Sequence, residues 1–236
     1  MRKVAFSSLL ALTSFTVFAA FEDCQNLFPG RQIPIVQERG RDLCFDGFAV
    51  LYSPQTKKPI YVVERLNAKD LGIQTRQERT DRFYEEARLP ASERALLSDY
   101  QGSGYDRGHN APALNRRTPN AMAQSFSLAN VMPQAPENNR GVWAKDVENA
   151  TFKYALRASG DVFVYTGSVG NAGTIGKNRV VVPKYLFKLV YDAVAKRSWA
   201  YWIPNTNDAQ MALKNFITYE QLRELSGIDF HIPVEP

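Results

Sequence analysis

One polar stretch near the middle of the chain concentrates residue types that bind metal ions and phosphates. It contains Asp106-Arg107-Gly108-His109, and Asn139-Arg140 follow later in the same stretch. His109 is one of only 2 histidines in 236 residues, so a metal centre built from several histidines is excluded. The remaining residue types suit one imidazole base and one hard cation held by oxygen atoms.

This combination fits the hydrolysis of a phosphodiester bond. A neutral imidazole can take a proton from water near neutral pH. A hard divalent ion held by an amide oxygen and water can neutralise the charge that develops on the phosphate and the leaving oxygen. An arginine can bind the non-bridging oxygens with two hydrogen bonds. The chain contains neither a Gly-x-x-x-x-Gly-Lys-Ser/Thr phosphate loop nor a Gly-x-Ser-x-Gly motif, which excludes those two site types.

Strand and helix patterns around the stretch predict how these residues are positioned. His109 follows glycines and precedes Ala111-Pro112, which predicts a short strand ending near it or a turn. Residues 125–132 read as a second strand, and a helix is predicted to run from near Asn138 to Tyr154. The order strand, loop, strand, helix can place His109 opposite Asn139.

Three segments together resemble a known signature. Asp106-Arg107-Gly108-His109, Asn130-Val131-Met132-Pro133-Gln134 and Asn139-Arg140-Gly141-Val142-Trp143 are similar to the motifs of the DNA/RNA non-specific endonucleases. That superfamily includes Serratia nuclease and mitochondrial endonuclease G. The resemblance covers most of the chain from residue 45 onward. It implies an α+β fold, with a mixed, mainly antiparallel sheet core and an embedded ββα-metal (His-Me finger) motif.

The resemblance also implies roles for individual residues. His109 matches the general base that activates the attacking water. Asn139 matches the family's only direct protein ligand of one catalytic Mg²⁺ ion, for which Mn²⁺ or another divalent ion can substitute. Arg107 and Asp106 match the positions that shape the site around the histidine. The products would carry 5′-phosphates.

Substrate contacts are expected from Arg82, Asn130 and Arg140. Asn130 matches a position on the second strand that supports the site. The family has an upstream arginine that contacts phosphate, and Arg82 is the first choice for it. Arg79 and Arg76 are rivals, because this region does not align cleanly with the motif.

One carboxylate departs from the family pattern. The family has a catalytic glutamate four residues after the tryptophan, which holds the water shell of the metal, but here that position is Val147. Glu148 lies one residue later and Asp146 one residue earlier. A shift of one residue rotates a side chain by about 100° around a regular α-helix. Glu148 is preferred because it reaches further, and this choice requires a local adjustment such as a bulge.

The first twenty residues predict a cleaved secretory signal. Arg2-Lys3 are followed by an apolar run that ends at Ala19-Ala20, and no later stretch is long and apolar enough to cross a membrane. Residues 21–236 are then a single non-specific endonuclease domain, secreted or periplasmic. Export to an oxidising compartment predicts a disulfide between Cys24 and Cys44.

The sequence therefore predicts an exported Mg²⁺-dependent endonuclease that acts on DNA and RNA with little sequence preference. A net charge of +5 permits a polyanionic substrate without requiring one. Two alternatives are a nucleic-acid-binding homologue with weak activity and a metal phosphodiesterase for a small substrate. A proteinaceous inhibitor is a candidate partner, no membrane partner is expected, and monomer and homodimer both remain open.

Overall fold

The computed structural model describes residues 21–72 and 77–233. The predicted signal at residues 1–20 lies outside the described residues, and so does Arg76. Within the described ranges, no helix has the length and apolar character that a bilayer span requires.

A seven-stranded sheet forms the centre of the fold, and every neighbouring pair of strands in it is antiparallel. The strands of the described chain are β1 (Arg41–Phe45), β2 (Phe48–Ser53), β3 (Lys58–Leu66), β4 (Asp106–His109), β5 (Val131–Gln134), β6 (Val162–Val169), β7 (Thr174–Ile175), β8 (Val180–Val181), β9 (Tyr185–Asp192), β10 (Arg197–Pro204) and β11 (Phe216–Ile217). The order in the large sheet is β1-β2-β3-β6-β9-β10-β11, while β4 pairs with β5 and β7 with β8.

Short helices connect and cover these strands. They are α1 (Ala68–Leu71), α2 (Leu97–Tyr100), α3 (Pro119–Ser125), α4 (Pro136–Asn138), α5 (Asn149–Ala155) and α6 (Tyr219–Ser226). A π-helical segment, Asn139–Glu148, joins α4 directly to α5. Shorter 3₁₀ turns occur at Gln25–Leu27, Pro29–Arg31, Ala113–Asn115, Leu128–Asn130 and Leu213–Asn215.

Both faces of the large sheet are covered, because successive side chains of a strand point to opposite sides. On β6, Tyr165 packs with Phe28 and Phe230 on the face covered by the N-terminal segment and the C-terminal residues. Its neighbour Val164 packs with Trp143 on the other face, which the π-helical segment covers. The fold is therefore mixed α+β with a mainly antiparallel sheet, as the sequence predicted.

A ββα unit carries the polar stretch on the second face. Strand β4 pairs with β5 so that His109 lies opposite Val131 and Asp106 opposite Gln134. The chain leaves β5 and enters α4 through Pro136, and proline suits the first turn of a helix because its missing N–H has no partner there anyway. Met132 of β5 packs in the same core cluster as Trp143, so the pair of strands and the helix form one packed unit.

The prediction of a strand over residues 125–132 is wrong in its position. Residue 125 ends α3, a 3₁₀ turn occupies Leu128–Asn130, and β5 begins only at Val131. The Asn130 side chain explains the shift, since its amide donates to the backbone oxygens of Ala111 and Ser125. Such side-chain bonds to the backbone compete with a strand ladder.

A disulfide joins Cys24 to Cys44, as predicted, with 5.8 Å between the Cα atoms. It ties the N-terminal segment to the edge strand β1. An isolated antiparallel bridge also joins Ile35 to Asp229, near the C-terminus. The N-terminal segment is thus fixed to the sheet at one point and to the C-terminal residues at another.

Replacing both Cys24 and Cys44 by serine should lower the free energy of unfolding by roughly 3 kcal/mol, because the cross-link restricts the unfolded chain. Denaturant titration of the wild-type protein, with and without dithiothreitol, measures this difference. The reductant should leave the double variant unchanged. Equal midpoints for oxidised and reduced wild-type protein would contradict the prediction.

Candidate active site

Strand β4 presents His109 at its last position, and the strand period places Arg107 on the same side. Gly108 faces the opposite side, where a Cβ atom would approach the Cβ of Gln134 to 2.7 Å. This contact explains the glycine between the two functional residues. The backbone N–H of Asn110 then donates to the Asn130 oxygen at 2.9 Å and continues the pairing past the strand.

His109 is 9% exposed, and its Nε2 atom is buried with no hydrogen-bond partner among the described residues. Burial is the main cause that lowers the pKa of His109 to about 3; the positive charges of Arg79, Arg116 and Arg107 act in the same direction, and Asp81 opposes them. The imidazole is therefore neutral at pH 7 and can accept a proton.

Asn139 lies at the start of the π-helical segment and is connected to β4. Its Nδ2 donates to Oδ2 of Asp106 at 2.9 Å. Arg140 holds the same carboxylate with two bonds, from Nε at 2.9 Å and from Nη2 at 2.7 Å. Because the amide nitrogen is engaged by Asp106, the orientation of Asn139 is fixed and its Oδ1 remains as the acceptor or ligand atom.

The π-helical segment absorbs the one-residue offset of Glu148. In a π-turn, residue i lies above residue i+5. The bond from the N–H of Asn149 to the oxygen of Ala144 has this spacing, and Gly141 kinks the segment with φ −99° and ψ −108°. Glu148 thus comes next to Trp143, in the place that the fourth residue after the tryptophan has in an α-helix.

Burial is the main cause that raises the pKa of Glu148 to about 7; the Glu64 carboxylate acts in the same direction, and the Lys188 ammonium opposes them. The rival residue Asp146 is exposed on the outside of the segment. Val147 is fully buried in the core between helix and sheet. The structure therefore turns Glu148, and not Asp146, towards the inside of the site.

Arg82 was the first choice for the phosphate-contacting arginine, and the structure instead places Arg79 beside the site. Arg79 shifts the pKa of both His109 and Glu148, and its guanidinium lies 5.2 Å from the centre of the Phe126 ring. Arg82 is exposed.

The structure places Asn130, for which a substrate contact is expected from the sequence, in the interior behind the loop that follows His109. The residue is fully buried, and its Oδ1 accepts a bond from the N–H of Ala111 at 2.9 Å. Its Nδ2 donates to the oxygens of Ala111 and Ser125 at 3.0 Å and 2.8 Å. With its polar atoms satisfied by backbone, Asn130 supports the loop after His109 and is not available to a ligand.

A buried charged group beneath the site was not predicted from the sequence. Glu64 and Arg116 form an ion pair with side chains 1% and 3% exposed. Asn115 donates to both oxygens of Glu64, at 3.1 Å and 3.0 Å. Lys188 is also buried and donates to Oγ1 of Thr166 at 2.5 Å. The available signal was a charged residue inside a largely apolar strand, Glu64 in β3 and Lys188 in β9.

The donor set fits one hard, largely hydrated cation. No group of three or more His, Cys, Asp or Glu side chains that could hold a metal occurs among residues 21–72 and 77–233. The oxygen donors that the ββα unit offers for such a cation are Oδ1 of Asn139, whose Nδ2 is bound by Asp106, and the carboxylate of Glu148. Mg²⁺ commonly keeps several waters and needs few protein ligands, so this sparse set suits it.

Comparison with known proteins identifies the family of this chain. The profile of the family described as DNA/RNA non-specific endonuclease matches residues 33–235. Bovine mitochondrial endonuclease G is 33% identical over 204 residues, which cover 78% of this chain and 66% of that protein. A nuclease from Nostoc sp. (strain PCC 7120 / SAG 25.82 / UTEX 2576) is 32% identical over 203 residues, covering 80% and 72%.

A solved structure of the EndoG/EndoGI complex contains a chain that superimposes with a TM-score of 0.73 and 24% identity. The match covers 81% of this chain and 86% of that chain, and it shows a shared fold. The family consists of metal-dependent nucleases. The family profile spans the sheet and the ββα unit, including residues 106–109 and 139–143. This chain therefore belongs to the DNA/RNA non-specific endonuclease family.

Proposed function

We propose that this protein is a Mg²⁺-dependent endonuclease that hydrolyses phosphodiester bonds of DNA and RNA with little sequence preference and leaves 5′-phosphates. The observation that carries the proposal is the buried, neutral imidazole of His109 with an unpartnered Nε2. This base ends the strand whose first residue, Asp106, holds Asn139. Residues 21–236 act as one nuclease domain.

His109 serves as the general base in this proposal. Its Nε2 accepts a proton from the attacking water, and the lowered pKa means that the imidazole is in the neutral form that can accept one at pH 7. Proton transfer of this kind accelerates a reaction by about 10²–10⁴-fold. Arg107 lies on the same side of β4, where its guanidinium packs 4.4 Å from the centre of the Phe83 ring.

Asn139 would bind the metal ion through Oδ1, and Glu148 would hold the ion's water molecules. A bound Mg²⁺ supplies charge neutralisation at the phosphate and the leaving oxygen. Arg79 would hold the non-bridging oxygens, because its positive charge acts on both His109 and Glu148 and a guanidinium can bind two phosphate oxygens at once. Asp106 orients Asn139, which makes the aspartate a positioning residue.

Substrate recognition would depend on phosphate contacts rather than on the bases. Arg140 is exposed, and Asp106 holds it beside Asn139. Contacts of this type neutralise phosphate charge and carry no sequence information, which fits cleavage with little sequence preference. The mechanism of EndoG inhibition is the subject of the EndoG/EndoGI structure, and an inhibitor that covers this face is a candidate partner here.

Export is part of the proposal and is supported by the Cys24–Cys44 disulfide, which needs an oxidising compartment. The relatives include mitochondrial and bacterial nucleases. Mass spectrometry of the protein recovered outside the cytoplasm should find an N-terminus near Ala20. Recovery of only the full-length chain from the cytoplasm would contradict this.

The central test is digestion of plasmid DNA and RNA by the purified mature protein. Cleavage should require Mg²⁺ and stop with EDTA, and His109→Gln should lower kcat by about 10²–10⁴-fold because the base is lost. His231→Gln removes the other histidine as a matched control and should retain activity. Binding without EDTA-sensitive cleavage by the wild type would favour the binding-only alternative. Cleavage of a small diester but not of plasmid would favour the small-substrate enzyme.

The same assay separates the two upstream arginines. Arg79→Ala should lower the rate severely, because the site loses a cation that faces His109 and Glu148. Arg82→Ala removes an exposed arginine three residues away and should change the rate little. If Arg82→Ala lowered the rate more than Arg79→Ala did, the phosphate contact would be assigned to Arg82.

The carboxylate assignment has its own matched pair. Glu148→Gln should raise the Mg²⁺ concentration at half-maximal activity by about 10–100-fold, as the loss of an outer-shell partner does. Asp146→Asn removes a carboxylate on the exposed side of the same segment and should leave the Mg²⁺ dependence unchanged. If Asp146→Asn cripples the enzyme and Glu148→Gln is silent, the role of Glu148 is refuted.

A further inference from the structure

Two phenylalanine rings enclose the imidazole of His109. The centre of the Phe83 ring lies 5.3 Å from the imidazole centre, and the centre of the Phe126 ring lies 5.1 Å from it. The imidazole and the Phe126 ring meet edge to face, at an interplanar angle of 88°. The two phenylalanine rings also contact each other edge to face, with centres 5.0 Å apart. The three rings therefore form one closed cluster.

The outer faces of the same two rings hold arginines. The guanidinium of Arg107 lies 4.4 Å from the centre of the Phe83 ring, and that of Arg79 lies 5.2 Å from the centre of the Phe126 ring. Both distances are within the range of cation–π attraction. Each ring thus touches the imidazole and one arginine at the same time.

Backbone bonds fix the two rings relative to each other. The N–H of Tyr84 donates to the oxygen of Phe126 at 3.2 Å, and the N–H of Leu128 donates to the oxygen of Tyr84 at 2.8 Å. Phe126 is fully buried at the end of α3. The non-helical segment that carries Arg79 and Phe83 is therefore attached to the turn that precedes β5.

We propose that Phe83 and Phe126 form an aromatic clamp that positions His109 and the guanidinium groups of Arg79 and Arg107 for attack on a phosphate. The proposal rests on the proposed nuclease function, with His109 as base. The two phenylalanines are positioning residues, since they act through the base and the arginines. A side chain displaced by about 1 Å can cost about 10²-fold in rate, so rigid packing around the imidazole has a direct catalytic value.

The clamp also controls the surroundings of the imidazole. By excluding water, the two rings disfavour the charged form of His109. The charged groups that face the imidazole are Arg79, Asp81, Arg107 and Arg116. Opening the clamp should therefore raise the pKa of His109 from about 3 towards its ordinary value.

The test compares Phe83→Leu and Phe126→Leu with a matched control, Phe45→Leu. Phe45 stacks on Phe48 with ring centres 4.5 Å apart, and the guanidinium of Arg88 lies 4.3 Å from the Phe45 ring centre. The control therefore loses the same kind of aromatic pair and cation–π contact, away from His109. Phe83→Tyr keeps the ring and serves as the conservative variant.

Kinetics provide the first readout. Phe83→Leu and Phe126→Leu should lower kcat by at least about tenfold with little change in KM, because positioning is lost while phosphate binding largely remains. The acid limb of the kcat profile should move to higher pH, since a base with a raised pKa is protonated over a wider range. Phe83→Tyr should recover most of kcat, and Phe45→Leu should stay within about twofold of wild type.

Imidazole NMR provides a second readout that does not depend on activity. The chain has 2 histidines, so a His231→Gln background leaves the signal of His109 alone. Removing either phenylalanine ring should shift this signal and raise its titration midpoint, and Phe45→Leu should do neither. If the wild-type protein cuts no nucleic acid, the nuclease proposal fails while NMR still reports on the clamp.

The clamp is refuted if both leucine variants match Phe45→Leu in kcat and leave the His109 signal unmoved. Phe126 is fully buried, and Phe126→Leu can fail to fold. In that case the comparison of Phe83→Leu with Phe83→Tyr tests the clamp, because Phe83 is only half-buried.

Discussion

The hydrogen bond between the Asn139 amide and the Asp106 carboxylate is the contact on which the arrangement of the ββα unit depends. Asp106 begins the strand that ends at His109, and Asn139 begins the segment that leads to Glu148. The bond therefore ties the strand that carries the proposed base to the segment that carries the proposed metal ligand. Arg140 holds the second carboxylate oxygen and balances its charge. A contact between charged and polar groups of this kind is short and directional, which suits a role in positioning.

The π-helical segment is the second constraint. Such segments are rare, because their hydrogen-bond geometry is less favourable than that of an α-helix, and they occur often at functional sites. Here Trp143 and Val147, both fully buried against the sheet, compensate by packing in the core. Their burial fixes the rotation of the segment and leaves Glu148 directed towards Lys188 and Glu64. A regular α-helix with the same two core residues would require a different position for the carboxylate.

Buried charges beneath the site act electrostatically on His109. The Glu64–Arg116 pair on β3 and the turn after β4 is a weak argument for stability, because desolvation of both ions offsets their attraction. Its positive member nevertheless acts on His109, where it helps to lower the pKa. Asn115 satisfies the remaining capacity of the Glu64 carboxylate. The charge pair therefore contributes an electrostatic field to the site rather than folding energy.

Whether a feature could be predicted from the sequence depends on how far apart in the chain the interacting residues lie. The position of His109 at the end of β4, the helix that carries Asn139 and the Cys24–Cys44 pairing all depend on local patterns or on residue type. The placement of Arg79 and Asn130 depends instead on contacts with Phe126 and with the loop after His109, which lie far away in the sequence.

The direction of the Glu148 side chain could not be predicted from the sequence either, but for a different reason. A period of 3.6 residues per turn, applied to the residues after Trp143, points to Val147 and leaves two carboxylates equally displaced. Only the packing of Val147 into the sheet and the kink at Gly141 decide between them, and neither can be read from spacing alone. One extra residue between the tryptophan and the carboxylate would rotate the carboxylate side chain away in a regular α-helix. A π-turn contains one more residue and restores the direction of that side chain. A departure from a family motif by one residue is therefore compatible with an intact arrangement wherever the helix can adopt a π-turn.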